Sequence, residues 1–177
     1  MKSFQPSGKH PVFEERVRVA MDSLSKDMST LRVIKFLGQM LPPKLARSAA
    51  TLHELRLRAS TRFPTLSLPF LTRKGLSQAS SEVVAKWRAQ KFQERAPGTR
   101  VLDATCGIGA DSIALGIAQL QVVSADLDWE HLLFTRANLE ANGLPGHVIQ
   151  ADATLSSALA DVCLLDPDRR SGGQRQL

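Results

Sequence analysis

The segment that most constrains the fold of this 177-residue chain is VLDATCGIGADSIALG, residues 101–116. Its apolar start ends on Asp103, a pattern typical of a short strand. Gly107 and Gly109 follow one residue apart, and the residues after them predict a helix. A strand, a glycine turn and a helix in this order present backbone N–H groups to a small ligand. The segment therefore predicts a small-molecule site at the carboxyl end of a strand.

The rest of the second half alternates strand and helix patterns in the order β-α-β-α-β-x-β. Predicted strands lie at residues 100–105, 121–128, 147–154 and 161–168, with helices at 109–119 and 129–143. Connections of this length join parallel strands, so we expect an α/β fold with a Rossmann-like parallel sheet. Four strands leave one parallel edge open, and parallel sheets are normally covered. We expect either a chain truncated after the fourth strand or a partner or further domain that covers the edge.

The first hundred residues predict helices, because apolar residues recur there at helical spacing. The turn APGTR, residues 96–100, marks the change to strand patterns. We therefore predict a helical N-terminal region at residues 1–96 and a Rossmann-like domain at residues 97–177.

Charge divides the chain at nearly the same place. Residues 1–100 carry 19 Lys and Arg against 7 Asp and Glu, a net charge of +12, whereas residues 101–177 carry 4 against 10, a net charge of −6. A basic region is what a nucleic-acid partner requires, although a solvated helical surface gives the same composition. One predicted helix places on one face Lys44, Arg47, Arg58 and Arg62.

The glycine turn departs from the dinucleotide fingerprint G-x-G-x-x-G. Ser112 stands where the third glycine belongs, and Asp111 lies in the first helical turn, where a diphosphate would meet the wrong charge. Asp103 can accept hydrogen bonds from an amine. The turn therefore favours a ligand with an α-amino group beside a carboxylate over a diphosphate, and an NAD-binding oxidoreductase is the weakest alternative.

Four acids close successive predicted strands: Asp103, Asp126, Asp152 and Asp166. Ligands of doubly wound sheets bind at the carboxyl ends of the strands, so these acids are expected to line one crevice. An acid about 20 residues past the glycine turn can accept both ribose hydroxyls, which suits Asp126. Each acid alone could instead cap a helix or form a turn.

These motifs resemble those of class I S-adenosylmethionine (SAM) dependent methyltransferases. VLDATCGIGADS resembles the first motif of that family, VVSADLDWEHLLFTRANLEANGL its second strand and helix, and IQADAT its third-strand acid. FLTRKGLSQASSEVVAKWRAQKF and DPDRRSGG extend the resemblance over residues 70–173. They are most similar to the bacterial THUMP-like and trimethylguanosine-synthase-like methyltransferases.

The resemblance implies SAM as cofactor and a role for each matching residue. Asp103 would bind the methionine ammonium, and the backbone around Thr105, Gly107 and Gly109 would hold the methionine moiety. Asp126 would hold the ribose hydroxyls and Leu127 would pack on the adenine. Asp152 would accept from the adenine amine, with Ala153 beside it. The acceptor atom would face the two catalytic candidates, Asp166 and Pro167.

The sequence departs from the family where Asp168 replaces a proline and Arg169 an aromatic residue. This puts methylation of a base amino group in doubt, since no aromatic ring stands there to stack on a base. The arginines at 169 and 170 could contact a phosphate backbone, pair with Asp168 or lie in a solvated turn.

The function predicted is methyl transfer from SAM to a nucleophile on RNA. The RNA assignment depends on the basic N-terminal region and on the resemblance. Two alternatives remain open: a methyltransferase for a protein or small molecule, and a non-catalytic SAM-fold or RNA-binding module.

Other features predict a cytoplasmic protein without a metal. Neither the cysteines, Cys106 and Cys163, nor the four histidines have metal-ligand spacing, and His131 is interpreted as an exposed helix residue. The N-terminus has no apolar signal core, and no stretch approaches the roughly 18 apolar residues of a membrane span. Cys106 is interpreted as a small residue packed at a tight turn, and Trp87 as a core residue.

Overall fold

The computed structural model describes residues 10–25, 28–153, 160–166, 170–171 and 174–175. The chain forms two compact units, Met1–Thr61 and Arg62–Leu177. The predicted domain boundary at residue 96 remains a prediction, whereas the compact units divide 35 residues earlier, so that the helices just before the first strand share a unit with the sheet.

The first unit is helical. A 3₁₀ turn at Pro11–Phe13 precedes α1 (Glu15–Asp22), α2 (Thr30–Met40) and α3 (Pro43–Arg62), the last of which runs to the unit boundary. Proline at the first position of α3 loses no hydrogen bond, because the first N–H groups of a helix have no partner within it. The buried apolar side chains recur at helical spacing and include Val17, Val33, Leu37, Ala49 and Leu52. No helix in the described parts of the chain is long and apolar enough to cross a membrane.

The second unit is built on a parallel sheet of order β3-β2-β1-β4. Its strands are β1 (Arg100–Asp103), β2 (Gln121–Asp126), β3 (Val148–Gln150) and β4 (Val162–Leu164). The helices are α4 (Arg73–Gln78), α5 (Glu82–Arg95), α6 (Ala110–Ile117) and α7 (Trp129–Ala141). A short antiparallel pair follows, β5 (Arg170–Ser171) and β6 (Gln174–Arg175). The predicted Rossmann-like α/β fold is confirmed.

The side chains of successive residues in β1 pack on opposite faces of the sheet. Val101 packs with Ala85 and Ala89 of α5 and with α6, and the half-buried Phe92 joins this cluster. Leu102 belongs to a separate cluster with Ala104 and Ala125. The prediction that Trp87 lies in the core is wrong, because the buried side of α5 carries small residues and Trp87 is 60% exposed.

An irregular segment, residues 63–72, joins α3 to α4 and is anchored by a buried acid of α5. The Glu82 carboxylate accepts bonds from the Thr65 and Leu66 backbone N–H groups at 3.0 and 3.2 Å and from the Thr65 hydroxyl at 2.6 Å. Lys86 Nζ lies 2.7 Å from it. Burial alone would raise the pKa of Glu82, but these bonds outweigh it and lower the pKa to about 2.

Candidate functional site

The loop between β1 and α6 has the backbone that its two glycines predict. Gly107 and Gly109 have φ values of +56° and +88°, in the left-handed region that favours glycine. Gly109 is the N-cap of α6, and a Cβ there would lie 3.0 Å from Thr135 Cγ2. The dihedral angle therefore favours glycine at both positions, and a Cβ at position 109 would in addition require Thr135 to shift slightly.

Two side chains of helix α7 bond the backbone of this loop. The Thr135 hydroxyl donates to the Gly107 carbonyl at 2.7 Å. The Asn138 amide donates to the Ile108 carbonyl at 2.9 Å and to the Phe70 carbonyl at 2.8 Å, and accepts from the Phe70 N–H at 2.9 Å. Asn138 is fully buried, so one side chain joins the glycine loop to the irregular segment before α4.

A cavity of about 610 Å³ opens at the carboxyl edge of the sheet. Its walls come from residues 74–80, the glycine loop, residues 126–128, His131 and Asp166. The volume is within the range of small-molecule sites. Among the described residues, one lysine, Lys74, and four carboxylates line it; the acids are Asp111, Asp126, Asp128 and Asp166. The cavity therefore favours a ligand with positive charge over a diphosphate.

Asp126 is tied to the loop and to α7. Its carboxylate accepts from the N–H groups of Gly107 at 3.0 Å and Asp128 at 2.8 Å, and from His131 Nδ1 at 3.2 Å. Burial alone would raise the pKa of Asp126, but these bonds outweigh burial and lower it. The same carboxylate raises the pKa of His131. The carboxylate stays ionised near neutral pH and keeps part of its acceptor capacity, which is about four lone-pair sites.

Asp103 is buried at the end of β1, behind the glycine loop, and does not line the cavity. It is 2% exposed, and its carboxylate accepts from the Ser112 hydroxyl at 2.6 Å. Ser124 donates to Ser112 at 2.8 Å. Burial raises the pKa of Asp103 to about 7, although the Ser112 bond opposes the shift. Ser112, the departure from the dinucleotide fingerprint, thus supplies the hydrogen bond that this buried acid requires.

The predicted site residues fall into two groups. Thr105, Gly107, Asp126, Leu127 and Asp166 line the cavity, with Leu127 65% exposed. The cavity wall does not contain four others: Asp103, Gly109, Asp152 and Ala153. Gly109 nevertheless shapes the loop, and residues 152 and 153 follow β3 at the same edge of the sheet, where Ala153 packs on the Leu102 cluster. Pro167, Asp168 and Arg169 lie outside the described residues.

Asp166 is held at both its backbone and its side chain. Its N–H donates to Thr105 Oγ1 at 3.0 Å, and its carboxylate lies 2.7 Å from Arg88 Nη2 of α5. Sequence reasoning missed Arg88, because its partners lie 23 and 78 residues away along the chain.

His131 differs from its sequence interpretation, whereas Cys106 agrees with it. His131 is buried rather than exposed, and it bonds Asp126, the acid that ends β2 five residues earlier in the chain. This five-residue spacing was the available signal. Cys106 is buried, which raises the pKa of its thiol well above the ordinary value. This agrees with the packed role and disfavours a nucleophile.

A glycine loop after the first strand of a parallel sheet, with an acid at the end of the second, defines a Rossmann-like cofactor-binding domain. The chain belongs to the family of methyltransferase small domains, whose family model matches residues 71–176. The expectation of a class I SAM-dependent methyltransferase fold is confirmed at this level.

Three known proteins illustrate the relationship. An uncharacterised S-adenosylmethionine-dependent methyltransferase of Mycobacterium tuberculosis is 36% identical over 105 residues, 59% of this chain and 28% of the relative. A tRNA (guanine(10)-N2)-dimethyltransferase of Methanothermobacter thermautotrophicus is 42% identical over 57 residues, 32% of this chain and 17% of the relative. A crystal structure assigned as a methyltransferase from Porphyromonas gingivalis W83 is similar with a TM-score of 0.68 and 25% identity, over 88% of this chain and 40% of that one. This chain thus spans under a third of the mycobacterial relative.

Proposed function

We propose that this chain binds SAM in the acid-lined cavity and that the protein transfers the SAM methyl group to RNA. The observation that carries the proposal is the cavity itself, in which a left-handed glycine loop and the Asp126 carboxylate meet. Four carboxylates against Lys74 and the adjacent Arg88 leave an excess of negative charge, which fits a ligand with ammonium and sulfonium charges. Bound SAM would supply an electrophilic methyl group.

Different residues of the chain would bind different parts of SAM. Asp126 would accept from the ribose hydroxyls with its remaining lone pairs, and Leu127 would pack on the adenine. Asp152, with Ala153 beside it, would bind the adenine amine, which requires the segment after β3 to approach the cavity. Asp103 would act on the methionine ammonium from beneath the loop, through the loop backbone or water.

Asp166 and Pro167 would face the acceptor, where alignment with the transferred group is the main source of rate. We further propose that the chain is related to the bacterial THUMP-like and trimethylguanosine-synthase-like methyltransferases. The sequence of residues 70–92, which resembles the segment before the first motif of that group, supports this proposal.

RNA as the acceptor is supported by charge and by one relative. Residues 1–100 carry a net charge of +12. The tRNA enzyme of M. thermautotrophicus is similar over part of the chain. The predicted basic face is smaller than expected, because Arg62 donates to the Leu76 and Ala79 carbonyls and Arg58 pairs with Glu54 at 2.6 Å. Lys44 and Arg47 remain exposed on α3.

Replacement Asp126→Ala should weaken SAM binding at least about tenfold, because it removes a charged acceptor for two hydroxyls. Isothermal titration with SAM, and separately with NADH, measures this directly. Glu140→Ala is the matched control, since Glu140 is an exposed acid of α7 paired with Arg136 at 2.9 Å. Equal affinity of the Asp126→Ala and Glu140→Ala variants, or tighter binding of NADH than of SAM, would contradict the cofactor assignment.

The double replacement of Lys44 and Arg47 with alanine should weaken binding of bulk tRNA and reduce the slope of log K against log salt by about 1 to 2. Filter binding between low and physiological salt gives both quantities. The control replaces Arg16 and Arg18, which are exposed in the same unit but paired with Glu14 at 2.7 Å and Glu15 at 3.3 Å. A slope near zero for the unaltered chain would show that RNA is not bound through this region.

A further inference from the structure

Arg88 contacts three residues of the cavity wall without lining the cavity itself. Its Nη1 donates to Ser80 Oγ at 2.9 Å and lies 3.2 Å from Asp111 Oδ1. Its Nη2 lies 2.7 Å from Asp166 Oδ2. The Arg88 side chain is 23% exposed, so these contacts are partly shielded from water.

The three partners belong to three separate parts of the fold. Ser80 lies in the turn between α4 and α5, Asp111 in the first turn of α6, and Asp166 two residues after β4. β4 pairs only with β1 among the described strands, so the segment that follows it has little sheet to hold it. Arg88 therefore joins the segment after the edge strand β4 to the first turn of α6 and to the turn between α4 and α5.

A guanidinium suits this task for chemical reasons. Its planar fork can bond two carboxylates at once, and it remains charged at all ordinary pH values. Burial alone would lower the pKa of Arg88, but the bonds to Asp166 and Asp111 outweigh it and raise the pKa. Without this cation, the Asp111 and Asp166 carboxylates, which both line the cavity, would repel each other with no counter-charge between them.

We propose that Arg88 is a positioning residue that fixes Ser80, Asp111 and Asp166 in the geometry that receives the cofactor and the acceptor. The identity of the ligand rests on the function proposed above, whereas the fixing of the three segments does not. Asp166 is the predicted acceptor-facing residue, and Arg88 acts through it without touching the substrate.

The first test compares the affinities of Arg88→Ala and Arg95→Ala for SAM and for its product, S-adenosylhomocysteine. Arg95 is the control because it is an exposed arginine of the same helix. SAM carries one more positive charge than the product, so loss of a nearby cation acting by charge alone would tighten SAM binding and leave the product unchanged. Positioning predicts that both ligands bind about tenfold more weakly to the Arg88→Ala variant. Tighter SAM binding, or no change for either ligand, would overturn the proposal.

Arg88→Lys separates charge from geometry. The lysine ammonium restores the charge but cannot present a planar fork to two carboxylates. We expect this variant to retain at least about a threefold loss for both ligands. Full recovery of both affinities would show that a positive charge is sufficient and that the fork is not needed.

Hydrogen exchange without ligand tests the positioning independently of SAM. The Asp166 N–H should exchange faster in Arg88→Ala and Arg88→Lys than in Arg95→Ala, together with the amides around Ser80. Unchanged exchange in both Arg88 variants would overturn the proposal even if SAM binds. Altered exchange with no SAM binding by the unaltered chain would refute the proposed cofactor but retain the positioning role. If the alanine variant does not fold, the lysine variant alone decides.

Discussion

Replacing Asn138 with aspartate is expected to lower the free energy of unfolding by about 4 kcal/mol. The Asn138 amide nitrogen donates to the Phe70 and Ile108 carbonyls at 2.8 and 2.9 Å inside a site with no solvent exposure. Aspartate has nearly the same shape, but an acceptor oxygen would replace that donor. The buried Ile108 carbonyl and the half-buried Phe70 carbonyl would lose their donor and face a carboxylate instead.

Asn142 offers a matched control one helical turn further along the chain. Its amide bonds the Ser67 N–H and carbonyl at 3.0 and 2.7 Å and also donates to the Asn138 carbonyl at 2.7 Å. Asn142 is partly exposed, so water can replace the lost bonds, and Asn142→Asp should cost about 1 kcal/mol. Urea unfolding near pH 8, where a carboxylate is ionised, measures both variants.

Equal losses for Asn138→Asp and Asn142→Asp would mean that burial of the Asn138 contacts does not set their cost. A larger loss at Asn138 has a consequence for the cavity, since Ile108 belongs to the glycine loop that lines it. The SAM affinity of Asn138→Asp should then fall together with its stability.

The sequence predicted those parts of the site that depend on residues close together in the chain. The strand, glycine turn and helix of residues 101–116 form as expected, and Asp126 and Asp166 reach the cavity because strand ends meet at one edge of a parallel sheet. These features follow from local pattern and from the topology that the pattern implies.

Residues that act across long sequence separations could not be predicted in this way. Arg88 reaches Asp166 across 78 residues, and Asn138 reaches Phe70 across 68. Neither residue belongs to a recognisable motif, since arginine and asparagine side chains on a helix are usually solvated. Their roles arise only when packing brings together donors and acceptors that lie far apart in the sequence.

Asp103 was predicted at the right position, but its environment could not be. Its place at the end of β1 follows from the sequence, whereas its burial beneath the loop follows from how α6 packs. The serine in the third glycine position was interpreted as evidence against a dinucleotide. In the structure Ser112 also has a positive role as the donor to Asp103.

Asp103 should make the protein less stable as pH rises from about 4 to about 7. Burial raises the pKa of Asp103 from 3.8 to about 7 in the folded chain. A raised pKa favours the folded state fully below the unfolded value, and that contribution is lost as pH rises through the folded value. A shift of about three units corresponds to about 4 kcal/mol, and Asp103→Asn should remove that change.

Thermal or urea unfolding at half-unit pH steps tests this expectation. The free energy of unfolding of the unaltered chain, relative to that of Asp103→Asn, should fall between about pH 4 and about pH 7 and stay constant above that range. Glu82→Gln is the control of opposite sign, because the pKa of Glu82 is lowered to about 2 and its contribution is lost only as pH falls below about 4.5. Ser112→Ala should extend the upper end of this pH range, since the Ser112 bond lowers the pKa of Asp103 in the folded chain.

The same titration bears on the proposed cofactor. A ligand ammonium near Asp103 would favour the ionised carboxylate, so SAM affinity should rise with pH up to about 7 in the unaltered chain and not in Asp103→Asn. Parallel stability curves for these two chains would mean that Asp103 is already ionised near pH 5. The buried carboxylate would then be a fixed negative charge beneath the loop, and SAM binding would not release a proton from it.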